Sequence, residues 1–183
     1  MELNKQNEIK EEKPLLNEDG ELTEKGYSKK MLLKYDRKSI KANKLRIKEW
    51  DYYLIYNDKF GLALTVADNS YMGLYSATFF DFAGKKEITK TNMKFMTLGK
   101  TNMPSTTKNG DVEVKNKKYS YFFENAQGKR EINVYIKNFY KGESLIANIK
   151  LTNEPEESMV IATPFWEKKK AFYYNQKIIG FKA

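Results

Sequence analysis

The chain of 183 residues is long enough for one domain with a hydrophobic core, and its 40% hydrophobic content with 13 Tyr, 11 Phe and 2 Trp is typical of a globular protein. It contains no cysteine and no histidine, which excludes disulfides, thiolate catalysis and every site that needs an imidazole. Any chemistry must use Asp, Glu, Lys, Arg, Tyr, Ser or Thr. We expect neither a cofactor nor a metal site.

The formal net charge of +9 raises the question of a nucleic-acid partner. The largest excess lies in residues 85–138, which carry 12 basic and 5 acidic residues. Clusters such as Lys117-Lys118 and Lys168-Lys169-Lys170 fall at expected turns, where lysine also protects exposed sheet edges. We therefore expect solvated faces, and weak nucleic-acid binding is the last-ranked alternative.

The chain shows no membrane or export signal. No run of eighteen apolar residues occurs, and the first residues lack the apolar stretch of a secretory signal. We expect a cytoplasmic protein without a membrane span.

The first 45 residues have little periodic pattern. Residues 1–13 are rich in Glu and Lys, which indicates a mobile tail. Asp19-Gly20 lies between apolar residues and predicts a tight turn in a small hairpin or looped arm. Residues 23–45 are polar around a short apolar patch, which indicates one helical turn or an irregular strap.

From Leu45 onward the hydrophobic period is two, which predicts strands. The turns between them are too short for crossover helices, so neighbouring strands should pair antiparallel. This pattern predicts an all-β domain over residues 14–183, either a curled sheet or a barrel. The expected strands are 45–56, 60–68, 71–82, 86–97, 111–117, 119–125, 130–138, 144–152, 158–163 and 170–179.

The opening strand is the most distinctive segment, because aromatic residues lie on both of its faces. Alternation places Trp50 and Tyr52 on one face and Glu49 and Asp51 on the other. The two carboxylates lie roughly 7 Å apart by strand geometry. They are either an acid–base pair or partners of basic residues across the strand.

Two further segments have alternative interpretations. Asp68 begins a polar step in an apolar hairpin, where it caps its own turn or acts at the mouth of a barrel. Residues 93–104 gather three methionines beside glycine and proline, and form either a lid over an apolar pocket or a loop whose methionines fill the core.

The last expected strand alternates Phe172, Tyr174 and Gln176 against Tyr173 and Asn175. A buried amide must find a partner, because leaving it unpaired costs roughly 1–3 kcal/mol. The two amides are therefore either structural bridges or ligand contacts.

Four blocks resemble the domain-of-unknown-function 2804 family: KEWDYY at 48–53, LALTVAD at 62–68, SMVIATPF at 158–165 and AFYYNQK at 171–177. The resemblance implies a lipocalin-like antiparallel barrel, similar to carotenoid hydratase-like and tocopherol cyclase-like proteins, and implies no particular reaction. Family members are about twice this long, with a second β-rich half. We therefore expect an amino-terminal half whose partner is that second half.

The first functional hypothesis is a module that binds a small apolar or amphipathic molecule. Its walls would be the face-sharing residues of the first and last long strands, Trp50, Tyr52, Phe172, Tyr174 and Gln176. The alternative is an enzyme for an isoprenoid-like or lipid-like substrate that uses carboxylate acid–base chemistry, with Asp51, Glu49 and Asp68 as candidate catalytic residues.

Overall fold

The computed structural model describes residues 6–126, 128–166 and 170–183, and its regular structure is almost entirely β-strand. Within these residues the helices are two single 3-10 turns, at Arg37–Ser39 and Lys44–Arg46. The strands in chain order are β1 (Lys13–Pro14), β2 (Gly26–Ser28), β3 (Leu33–Lys34), β4 (Glu49–Tyr56), β5 (Phe60–Asp68), β6 (Met72–Asp81), β7 (Lys86–Phe95), β8 (Val112–Lys115), β9 (Tyr119–Ala126), β10 (Lys129–Tyr140), β11 (Glu143–Leu151), β12 (Met159–Trp166) and β13 (Ala171–Lys177).

The chain divides into two compact units. The central unit consists of Lys44–Pro104 and Lys108–Leu151. The terminal unit consists of Met1–Asn43, Ser105–Thr107 and Thr152–Lys182. The two units are described separately below.

The described residues of the central unit form two antiparallel sheets. The first sheet joins β4 to β7 and the second joins β8 to β11, each in sequence order. Asparagine side chains close two of the turns: Asn57 accepts hydrogen bonds from the backbone N–H of Lys59 and Phe60, and Asn116 accepts from Lys118 and Tyr119. The turn residues expected from the sequence therefore do lie at the ends of these strands.

Aromatic residues pack the two sheets of the central unit face to face. The ring centroids of Tyr53 and Phe123 lie 5.0 Å apart in an edge-on contact, and those of Tyr75 and Tyr119 lie 5.5 Å apart. Burying a side chain of this kind contributes about 1.5–3 kcal/mol. Other fully buried residues of this core are Leu64, Val66, Tyr121, Ile132 and Ile136.

The described strands form separate sheets, and none of these closes into a barrel. The sequence favours closure because it suggests a regular succession of short turns. Two longer connections, residues 96–111 and 152–158, interrupt that succession, and the strands on either side of each are not hydrogen-bonded to each other. The antiparallel all-β architecture is confirmed.

The terminal unit contains the strand order β13-β12-β2 and a parallel pair of β1 with β3. Its buried core contains Ile9, Leu15, Leu16, Leu33 and Ala162. The predicted turn at Asp19-Gly20 is present, since Leu16 and Leu22 form an antiparallel bridge around it.

The structure differs from the expected mobile tail in residues 8–13. The backbone N–H of Ile9 donates to the carbonyl of Tyr27 at 2.7 Å, and the Ile9 side chain is buried. A single apolar residue among charged neighbours has no periodicity, so the sequence gives little sign of this contact. Residues 1–5 of the expected tail lie outside the described residues.

Candidate functional site

A cleft of about 260 Å³ lies within the terminal unit, and we call it the terminal cleft. It forms where the hairpin around Gly20 meets the facing ends of β12 and β13. Its apolar lining includes Phe172, which the sequence analysis selects as a ligand wall. Among the residues that the structure describes, the apolar lining consists of Leu22, Pro164, Ala171 and Phe172, and the other lining residues are Gly20, Glu21, Lys25 and Lys170.

Two lysines and one glutamate give the terminal cleft a basic character. Lys170 has a left-handed backbone with φ of 50°, and its Nζ donates a hydrogen bond to the backbone carbonyl of Asp19. Gly20 has φ of 78°, and a Cβ there would lie 2.5 Å from Cγ of Lys41. The hairpin that lines the cleft therefore requires glycine at this position.

Tyr174 and Gln176 have structural partners inside the terminal unit. The Tyr174 hydroxyl donates to the carbonyl of Leu33 at 2.6 Å, and burial raises the pKa of this tyrosine well above its ordinary value. The Gln176 amide accepts from Thr107 Oγ1 at 2.5 Å and donates to Ser158 Oγ at 2.8 Å. Gln176 thus has the bonds of a structural bridge, the amide of Asn175 donates to the Tyr173 hydroxyl at 2.5 Å, and the role of Tyr174 and Gln176 in binding stays a prediction.

Trp50 and Tyr52 lie in the central unit on the outer face of the first sheet, where they are 40% and 55% exposed. Leu54 and Tyr56 continue the same row. The residues paired with them across the sheet on this face are uncharged with one exception. The cross-strand row from Tyr52, for example, continues through Thr65 and Ser76 to Thr91. Glu87 is the one charged residue in the four paired rows that begin at Trp50, Tyr52, Leu54 and Tyr56.

Asp51 and Glu49 lie on the opposite, inner face of β4 and are half-buried. Burial raises the pKa of Asp51 to about 6, and the positive charge of Arg130 opposes this rise. Arg130 is itself buried and lies on the same face of β10 as Ile132 and Val134. Arg130 is not among the residues selected from the sequence, although its strand parity with those apolar residues is a signal that could identify it.

Asp68 is fully buried and organises two loops of the central unit. Its Oδ1 accepts from the Ser70 backbone N–H at 2.8 Å and from Thr97 Oγ1 at 2.7 Å, while Oδ2 accepts from the Thr101 N–H at 3.2 Å. Burial alone would raise the pKa of Asp68, but these hydrogen bonds lower it below the ordinary value. Asp68 therefore caps its own turn, which is one of the two roles that the sequence suggests for it.

Gly73 leaves space for the hydroxyl of Tyr75, a buried polar group that the sequence pattern does not reveal. A Cβ at Gly73 would lie 2.5 Å from the Tyr75 hydroxyl and 2.8 Å from Cγ2 of Thr97. Burial raises the pKa of Tyr75 and of Tyr119, whose ring lies beside it. The space around Gly73 on the inner face is therefore filled by closely packed tyrosine side chains.

The comparisons with known proteins give one match. A family model described as a domain of unknown function (DUF2804) matches residues 6–183. No curated protein and no solved structure matches the chain. In the part of the chain that the structure describes, no group of three or more acidic residues could hold a metal ion, and no helix is long and apolar enough to cross a bilayer.

Proposed function

This chain belongs to the family described as a domain of unknown function (DUF2804), and we propose from its own geometry that it binds a small amphipathic anion in the terminal cleft. The observation that carries this proposal is the combination of an apolar lining with two lysines. Small-molecule sites are typically apolar concavities with a few polar groups that fix orientation. The terminal cleft has this composition.

The size of the cleft limits the ligand. Its volume of about 260 Å³ is slightly below the range of roughly 300–1,000 Å³ that is usual for small-molecule pockets. A short acyl or single-ring compound therefore fits the proposal better than a long isoprenoid. Phe172 and Leu22 would contact the apolar part of such a ligand.

The charges of the cleft favour a negative head group. Lys25 and Lys170 outnumber Glu21, so a carboxylate or sulfonate gains Coulomb energy that a neutral alcohol does not. The hydrogen bond from Lys170 to Asp19 keeps that ammonium group beside the hairpin. The proposed binding mode thus combines apolar contact at Phe172 with charge recognition at the lysines.

Anilinonaphthalene sulfonate, an amphipathic fluorescent anion, provides a direct test. We expect saturable binding, competition by octanoate and much weaker competition by octan-1-ol. Phe172→Ala should weaken the affinity at least about tenfold, because a buried aromatic contact is worth roughly 1.5–3 kcal/mol. Lys177→Gln, at an exposed lysine of β13, is the control and should leave the affinity unchanged.

Because Phe172 also packs against the core of the terminal unit, Lys170→Gln is needed as a second variant. It removes charge without removing an apolar contact. Octanoate should lose its advantage over octan-1-ol in this variant. Equal competition by the two compounds in the parent protein, or unchanged octanoate binding in both variants, would refute the proposal.

One observation supports the enzyme as a second candidate. A carboxyl with a pKa of about 6 is partly protonated at neutral pH, so Asp51 is suited to donate a proton to a double bond. Water then adds to the resulting cation and gives one proton back to the Asp51 carboxylate, which restores the acid. Incubation with geranylgeraniol, followed by mass spectrometry for the gain of one water molecule, tests this activity. Product formation that persists in Asp51→Asn would exclude this residue as the acid.

Three finer proposals have separate support. The family resemblance supports a lipocalin-like relationship and a second β-rich half as partner. The lack of any run of eighteen apolar residues is the ground on which we propose a cytoplasmic location. Expression of the chain with a candidate second half, followed by co-purification, tests the partner.

A further inference from the structure

Residues 96–102 of the central unit, which we call the 96–102 loop, are fixed to the neighbouring β5–β6 turn. Thr97 is buried and its hydroxyl donates to the fully buried Asp68, which also accepts from the Thr101 N–H. The backbone N–H of Met96 donates to the Tyr71 carbonyl at 2.8 Å, and that of Leu98 donates to the Ser70 carbonyl at 2.9 Å. These bonds hold the loop in one arrangement, unlike the lid that the sequence suggests as one alternative.

The residues on both sides of Thr97 combine two unfavourable features. Met96 and Leu98 have left-handed backbones, with φ of 55° and 50°, which is uncommon for residues with a Cβ. Both side chains are also exposed to solvent, although both are apolar. Met96 therefore does not fill the core, although core filling is the other role that the sequence suggests for the methionines of this segment. Strained backbone conformations cluster at functional sites. The exposed apolar side chains of Met96 and Leu98 are therefore candidates for a binding role.

The surroundings of the loop extend this apolar surface and add positive charge. Phe95, next to Met96, is 75% exposed, and Tyr71, bonded to the loop, is exposed as well. Lys94 and Lys100, close to the loop in sequence, are exposed, and residues 88–104 contain no acidic residue. Lys90 is directed elsewhere, since its Nζ donates to the Asn138 carbonyl at 3.1 Å. The buried Asp68 beneath the loop is already engaged by three donors.

We propose that the 96–102 loop, together with Phe95, docks on the surface of a lipid bilayer that contains anionic head groups. Exposed apolar side chains insert at the boundary between head groups and acyl chains, and each nearby lysine adds attraction to anionic lipid. Nucleic acid fits less well, because a base could stack on Phe95 or Tyr71 but would leave the exposed aliphatic side chains of Met96 and Leu98 in water, whereas a bilayer accepts all four. The proposal uses different residues from those of the terminal cleft and does not depend on ligand binding there.

The absence of cysteine allows a clean experiment, because one introduced cysteine is the only labelling site. Leu98→Cys carrying a polarity-sensitive dye is mixed with vesicles of equal parts phosphatidylcholine and phosphatidylserine. We expect a blue shift of the emission, which decreases with added salt and is much smaller with pure phosphatidylcholine. Ile146→Cys is the matched control, since Ile146 is 69% exposed on the outer face of the second sheet.

Flotation of unlabelled protein with the same vesicles gives an independent measurement. Phe95→Ser combined with Leu98→Ser should lower the bound fraction at least about tenfold, since two apolar contacts with the bilayer are lost. Lys94→Gln combined with Lys100→Gln should remove the preference for phosphatidylserine. Ile146→Ser should have no effect.

Three results would overturn the proposal. The first is no flotation of the parent protein with anionic vesicles. The second is an equal loss of binding in Ile146→Ser. The third is a dye shift at Leu98 that follows protein concentration without vesicles, because this would identify a second copy of the chain as the occupant.

Discussion

The hydroxyl of Tyr75 occupies the space that a side chain at Gly73 would fill. A Cβ at Gly73 would lie only 2.5 Å from this hydroxyl, on the inner face of the first sheet. Tyr75 is buried against Tyr119 and cannot swing into solvent. A strand glycine is therefore required here for packing, and not for its backbone freedom.

Gly73→Ala is expected to lower the free energy of unfolding by about 1–3 kcal/mol, because overpacking displaces Tyr75 or Thr97. Urea denaturation measures this change. Gly61→Ala is the control and should cost less, because the nearest atoms to its Cβ would be ring atoms of Phe82 and Phe80 and Cβ of Tyr56, at 3.2, 3.3 and 3.4 Å, all farther than the 2.5 Å contact at Gly73. Adding Tyr75→Phe to Gly73→Ala should restore part of the stability, and a double variant no better than the single one would contradict this explanation.

Asp51→Asn is expected to stabilise the protein at neutral pH. The folded state raises the pKa of Asp51 from 3.8 to about 6, so it binds the proton more tightly than the unfolded chain does. Stability should therefore fall as the pH rises from about 4 to about 6, by up to about 3 kcal/mol. The asparagine variant should not show this fall.

Urea denaturation between pH 4 and pH 7 measures the effect of Asp51. Asp58→Asn, in the exposed β4–β5 turn, is the control and should keep the parent profile. A parent profile that rises over this range, or an Asp51→Asn variant that is less stable at pH 7, would show that the Arg130 charge outweighs burial.

Asp68→Asn should act in the opposite direction. The amide nitrogen would replace one of the two carboxylate oxygens, so at least one of the donors on Ser70, Thr97 and Thr101 loses its acceptor, at a cost of about 1–3 kcal/mol. The folded pKa of Asp68 is lowered, so its contribution is present above the ordinary value and is lost as the pH falls through the lowered pKa.

Hydrogen exchange at the amides of Thr101 and Leu98 measures the Asp68 effect locally. Protection should decrease in Asp68→Asn at neutral pH, and in the parent protein on strong acidification. Unchanged protection of both amides in the variant would mean that the loop is held by its backbone bonds alone.

Binding to DNA or RNA should be weak and sensitive to salt, because the lysines are distributed over several strands and turns and no reading element accompanies them. Fluorescence anisotropy with labelled duplex and single-stranded oligonucleotides measures the affinity at several salt concentrations. A Kd tighter than about 1 μM at physiological ionic strength would contradict this expectation.

The sequence predicts the strands from β4 to β13 closely, because alternation and turn residues act over short distances. The pairing of β2 with β12 could not be predicted in this way, since Tyr27 and Ile161 are distant in sequence and β2 is only three residues long. The parallel pairing of β1 with β3 could not be predicted either, because these strands are also short and are not sequence neighbours.

The candidate site was predictable only in part. Phe172 lines the terminal cleft, yet the contribution of Lys170 depends on a hairpin that is far away in sequence. Trp50 and Asp51 lie on opposite faces of β4, as alternation predicts, but aromatic residues on both faces hide which one is buried. Register with Val66, which is fully buried, decides that Asp51 faces inward.

The strand order of the two units has a consequence for synthesis on the ribosome. Every strand pair of the central unit joins sequence neighbours, so each can form soon after its second strand emerges. The sheet of the terminal unit joins Tyr27 to Ile161, so β2 must wait until β12 has been made. During that interval Leu15, Leu16 and Leu33 lack the Ala162 side of their core, so we expect this apolar amino-terminal segment to be open to non-native contacts until β12 emerges.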